Sequence, residues 1–102
     1  PNLPPAFQLE VYYKLSFLFS ETDRVDLANT LIISMMDQYL KEGSEVERIS
    51  SIEGYWMSRS LFLLGKQLEA SDQSEASKII YRKIIAYNLP GAELAKQLLL
   101  EY

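Results

Sequence analysis

Apolar residues recur every three or four positions along nearly the whole chain, which is the helical period, and no stretch alternates like a half-buried strand. Pro and Gly are confined to a few places that read as punctuation. This pattern predicts five helices. The first starts near Pro4 or Pro5, since Pro suits a first helical turn, and runs to about Ser20. Val11, Leu15 and Leu18 form one stripe along it, and Tyr12, Ser16 and Phe19 another. Ser20-Glu21-Thr22-Asp23 makes a short connection rich in capping residues. The second helix spans roughly Arg24 to Glu42. Its broad apolar face holds Val25, Ala28, Ile32, Met35, Met36 and Tyr39, and Gly43 is a natural stop.

Ser44 with Glu47 has capping-box spacing, and so does Ser50 with Glu53, so either can open the third helix, which continues to about Ala70. A start at Ser44 makes that helix unusually long and places Gly54 inside it as a weak point. Asp72 with Glu75 resembles another capped start. The fourth helix runs from there to about Asn88 and buries Ala76, Ile80, Ile84 and Tyr87; Asn88-Leu89-Pro90-Gly91 breaks it, and a fifth helix begins near Pro90 and reaches the C-terminus.

Two stretches carry one arrangement of large and small residues. Tyr12, Leu15, Ser16, Phe19, Ala28, Ile32 and Met35 stand at the same relative offsets as Leu61, Leu64, Gly65, Leu68, Ser77, Tyr81 and Ile84, 49 residues further on. Shifted again by about 34 residues, Ala92, Ala95, Leu98 and Tyr102 begin a third copy. Small residues at Ser16 and Ala28, and again at Gly65 and Ser77, let two antiparallel helices approach closely.

On these residues the chain resembles the tetratricopeptide-repeat family. Leu61, Leu64 and Gly65 match the first helix of the motif, and Ser77, Tyr81 and the Leu89-Pro90 turn match the second. The likeness covers roughly residues 9–40 and 58–102. Two departures stand out: the copies lie 49 apart instead of about 34, and Pro90 falls one residue late against the usual helix-ending proline. The extra residues between Lys41 and Met57 fit about four helical turns, so an elongated third helix keeps the register better than an added short one.

The resemblance implies an all-α, right-handed stack of antiparallel helical hairpins forming one domain over residues 1–102. Repeat one covers about 4–42, an inserted or extended helix segment 43–57, repeat two 58–90, and a partial repeat or capping helix 91–102. It also implies a concave groove lined by the first helix of each pair, which holds a peptide or a partner helix. Carried onto this chain, the lining is Glu10, Tyr13, Phe17, Arg59, Phe62, Lys66, Glu93, Lys96 and Leu100. Phe17 and Phe62 have a competing role as core residues. The family's carboxylate clamp needs Lys and Asn at set groove positions; here Tyr13 and Phe17 hold them in the first copy, Phe62 and Lys66 in the second, so an adaptor reading acidic C-termini is disfavoured.

The expected function is therefore non-covalent binding of a protein or peptide, as a scaffold or adaptor, with Tyr13, Phe17, Phe62 and Leu100 docking the partner and Arg59, Lys66 and Lys96 setting register. The alternative is structural: Leu94, Leu98 and Tyr102 give the C-terminal helix more apolar surface than one face can hide, so it self-associates into a homo-oligomer or completes a longer solenoid. Tyr55 and Trp56, at the end of the inserted segment, are either core or a partner anchor.

Charge and composition narrow the partners. The net charge is −4, which disfavours nucleic acid as a partner. Residues 1–57 carry nine acids against four bases, and residues 58–102 five acids against six bases. The absence of Cys and His removes thiolate and imidazole metal sites and His-based nucleophile pairs, so no metal or cofactor is expected. No apolar run approaches a membrane span of about 18–20 residues. Carboxylate pairs such as Asp23 with Asp26 sit at expected helix ends, where they complement the backbone dipole, and no glycine-rich phosphate loop is present. The chain is not expected to be an enzyme.

Overall fold

The computed structural model describes residues 4–40 and 51–102. Those residues form five α-helices and no strand: α1 (Pro5–Glu21), α2 (Val25–Tyr39), α3 (Ser51–Ala70), α4 (Ser74–Ala86) and α5 (Ala92–Leu100). Pro5 opens α1, as its fixed φ favours. The end of α2 comes at Tyr39, where the Leu40 N–H donates to the Met36 carbonyl. The expected stop at Gly43 and the expected start at Ser44 lie outside the described residues.

The helices pair as antiparallel neighbours. Near the start of α1, Gln8 accepts a hydrogen bond from the Tyr39 hydroxyl at the end of α2. In the second pair the Ser58 hydroxyl, early in α3, donates to the Pro90 carbonyl beyond α4. α3 also packs on α1 and α2, and α5 packs on α4. Between them lies one core, built from Leu9, Ile32, Met35, Met57, Leu61, Leu64, Leu68, Ile80, Tyr81, Ile84, Leu89 and Ala95 together with Met36 and Leu40.

The small residues of both pairs lie away from solvent. Ser16, Ala28, Gly65 and Ser77 are all buried. In the second pair the Ser77 hydroxyl donates to the Gly65 carbonyl at 2.9 Å and accepts from the Tyr102 hydroxyl at 2.9 Å, tying α3, α4 and the C-terminal residue together. In the first pair Ala28 has no hydroxyl, and the buried Ser16 Oγ has no partner among the described residues.

The 49-residue correspondence extends into the turns, where the sequence pattern did not reach. Asp23 and Asp72 both adopt a left-handed conformation with φ of 62°. Behind them, the Arg24 N–H donates to the Phe19 carbonyl at 2.8 Å and the Gln73 N–H to the Leu68 carbonyl at 2.8 Å. The hydroxyls of Thr22 and Ser71 both turn back onto the last turn of their helices. Asn88, with φ of 51°, closes α4 in the same manner, the Leu89 N–H reaching the Ile84 carbonyl at 3.0 Å. This is a helix-ending turn in which one left-handed residue satisfies orphan carbonyls. It corrects the expectation that Asp72 caps the start of α4: Asp72 terminates α3, and Gln73 precedes α4 without a side-chain cap.

The two matching stretches differ in their surroundings. Leu15 is 38% exposed, whereas its counterpart Leu64 is 0% exposed. Phe7, Val11, Leu15 and Leu18 form an exposed stripe along α1. Their counterparts Trp56, Ser60, Leu64 and Gln67 are buried or half-buried in α3, where Trp56 packs on Tyr13 and Gln67 donates to Asn29 at 2.6 Å. The stripe of Val11, Leu15 and Leu18 therefore faces outward, and only the stripe of Tyr12, Ser16 and Phe19 turns toward the core.

Candidate binding groove

α1 and α3 run side by side in the same direction. Tyr13 of α1 meets Trp56 and Arg59 of α3, and one turn further on Phe17 lines a depression with Phe62, Leu63 and Lys66. A second depression, of about 420 Å³, is lined by Tyr13, Lys14, Phe17, Leu18 and Arg59. The first has about 260 Å³, and the two share Tyr13, Phe17 and Arg59 as a ridge.

Arg59 is the organising group. Its guanidinium lies 5.0 Å from the centre of the Tyr13 ring and 5.5 Å from that of Tyr55. It donates to the Tyr55 hydroxyl at 2.8 Å and to the Tyr13 hydroxyl at 3.3 Å. Hydrogen bonds to Tyr13 and then Tyr55 push its pKa further up, so it is a fixed cation at any working pH. The helical spacing explains half of this clamp: Tyr55 and Arg59 stand four apart on α3 and share a face. The other half comes from packing α1 against α3, which supplies Tyr13.

Aromatic contacts extend the cluster. Tyr13 lies 6.3 Å from Phe17 and 5.8 Å from Trp56, and Tyr55 meets Trp56 edge-on at 4.9 Å. Such offset and edge contacts satisfy the ring quadrupoles. The Lys14 ammonium sits 5.7 Å from the Trp56 ring and pairs with Glu10 at 2.6 Å.

The structure brings together Tyr13, Phe17, Arg59, Phe62 and Lys66 from the expected lining. The two Phe residues have different settings. Phe17 is 45% exposed, whereas Phe62 is half-buried against the core, 6.0 Å from the Tyr81 ring and against Gly91. Lys96 and Leu100 lie apart on α5, where Lys96 pairs with Glu93 at 3.2 Å and Leu100 is 83% exposed. Of the residues expected to mediate self-association, Leu98 packs against the core, Leu94 is exposed, and Tyr102 is held by Ser77 and by Lys78 at 4.9 Å from its ring. Lys14, Leu18 and Leu63 line the groove without having been expected there; Tyr55 and Trp56 flank it, joined to Tyr13 and Arg59 by ring contacts. The signal for Tyr55 was its four-residue spacing to Arg59.

Among the described residues no group of three or more Asp or Glu side chains is placed to hold a metal ion, and no helix is long and apolar enough to cross a membrane. Compared with known proteins, the chain matches no family model, no curated protein and no solved structure.

Proposed function

We propose that the chain is a tetratricopeptide-like scaffold or adaptor, without enzymatic activity, that binds a peptide or helix of another protein in the groove between α1 and α3. The observation that carries this reading is the ridge of Tyr13, Phe17 and Arg59 shared by two adjoining depressions. Large aromatic side chains offer contact area at small entropic cost, and Tyr, Trp and Arg are the residues that dominate binding hot spots. The clamp on Arg59 pre-orders its long side chain, so less freedom is lost on binding. Selection of 16-residue random peptides displayed on phage against the immobilised chain tests the reading. Recovered peptides should lose binding to Phe17→Ala while that variant keeps the wild-type melting temperature within a few degrees. Peptides that bind both proteins equally would count against the groove. Phe17 is the better probe than Phe62, whose truncation also opens the core.

A second reading, assembly, is favoured by the outward stripe of Phe7, Val11, Leu15 and Leu18. In α3 the corresponding positions meet a neighbouring helix pair, so a second copy of the chain is the fitting cover for α1. This moves the assembly surface from α5 to α1. Sedimentation at about 100 μM should then show a dimer lost on Leu15→Glu; a monomer at that concentration removes this reading.

A further inference from the structure

The chain carries a net charge of −4, yet among the described residues the groove is lined by three cations, Lys14, Arg59 and Lys66, and by no carboxylate. Glu10 pairs with Lys14, but among the described residues neither Arg59 nor Lys66 has a carboxylate partner. The groove is a basic, aromatic island on an acidic molecule. We infer that its occupant is an acidic, apolar-faced segment of another protein, with two large apolar side chains flanking a carboxylate; this rests on the reading of the groove as the binding site.

The geometry supplies the order of contacts. Each depression takes one apolar side chain, and the ridge between them presents the guanidinium of Arg59. Tyr55 and Tyr13 use two of the five N–H donors of that group, and no described acceptor takes the others. A guanidinium is weakly hydrated and suits planar, two-point contact with a carboxylate, so it is the cation that loses least on being covered by a ligand. Lys66 at one end and Lys14 at the other add charge without fixed geometry. A basic segment would set its own cations against Arg59 and Lys66, which no described carboxylate pairs with, and be repelled.

The peptide selection separates this inference from the reading beneath it. Recovered peptides should be enriched in Asp and Glu around two large apolar residues. A synthetic copy of the most enriched peptide should bind about fivefold more weakly to Arg59→Gln, as expected of an ion pair worth about 1 kcal/mol. Its affinity should also fall on raising NaCl from about 50 to 500 mM. Neutral or basic peptides that still require Phe17 would leave the groove in place and overturn the acidic occupant. Peptides indifferent to Phe17, or none recovered at all, would overturn both.

Discussion

The ring of Tyr81 fills the space that any side chain on Gly65 would need. A Cβ at Gly65 would stand 2.6 Å from Tyr81 Cε1 and 2.9 Å from Cζ. Tyr81 is fully buried and donates a hydrogen bond to Glu69, so its ring cannot swing aside without losing that bond. Gly65→Ala gains about 1 kcal/mol of helix propensity but meets an overpacking cost of about 1–3 kcal/mol. The expected net effect is a loss of up to about 2 kcal/mol, read as a fall in Tm of up to several degrees. A raised Tm would mean that α3 and α4 are further apart than described.

The first pair offers the opposite case. Ser16 occupies the position of Gly65, is buried, and its hydroxyl has no partner among the described residues. Leaving a buried hydroxyl unpaired costs about 1–3 kcal/mol. Ser16→Ala removes that group without adding volume, so urea unfolding should show a stability equal to or up to about 2 kcal/mol above wild type. A clear loss would reveal a hydrogen bond to Ser16 that the structure does not show.

Leu15 and Leu64 stand 49 residues apart at matching positions but in different surroundings. Leu64→Ala should cost about 2–5 kcal/mol, the range for a fully buried leucine. Leu15→Ala should cost less than about 1 kcal/mol in the monomer. Equal losses would show that α1 is covered on both faces.

Tyr81 also sets an alkaline limit. Burial, followed by the hydrogen bond to Glu69, raises its pKa above the ordinary value of 10.0. The folded state therefore holds this proton more tightly than the unfolded chain. That stabilisation is complete below pH ~10 and is lost as pH rises from there toward the folded pKa. Urea midpoints of the wild type should be level between about pH 7 and 9 and fall above pH 10. In Tyr81→Phe that alkaline fall should be reduced; an equal fall would assign it to other tyrosines.

Helix number and the pairs of small residues were legible in the sequence, because both rest on spacing: a three-to-four period for the helices, and a recurring Ser16/Ala28 and Gly65/Ser77 offset for close approach. The turns were not. An Asp beside Ser or Thr suits the start of a helix as well as a left-handed ending, and Asp72 was expected in the first role but takes the second. The outward stripe of α1 was hidden for another reason. Periodicity shows that Val11, Leu15 and Leu18 share a face, but whether that face meets a neighbour depends on where α3 lies. Five groove residues followed from the family resemblance. Tyr55 and Trp56 flank that groove because α1 brings Tyr13 against Trp56 and Arg59, contacts 43 and 46 residues distant in sequence that no local pattern records.

Amide chemical-shift mapping with a peptide recovered by selection tests the groove most directly. The account predicts shifts that converge on Tyr13, Phe17, Arg59, Phe62 and Lys66, on neighbouring faces of α1 and α3. Shifts concentrated instead around Leu94 and Leu100 of α5, or along Phe7, Val11 and Leu15 on the outward side of α1, would contradict it.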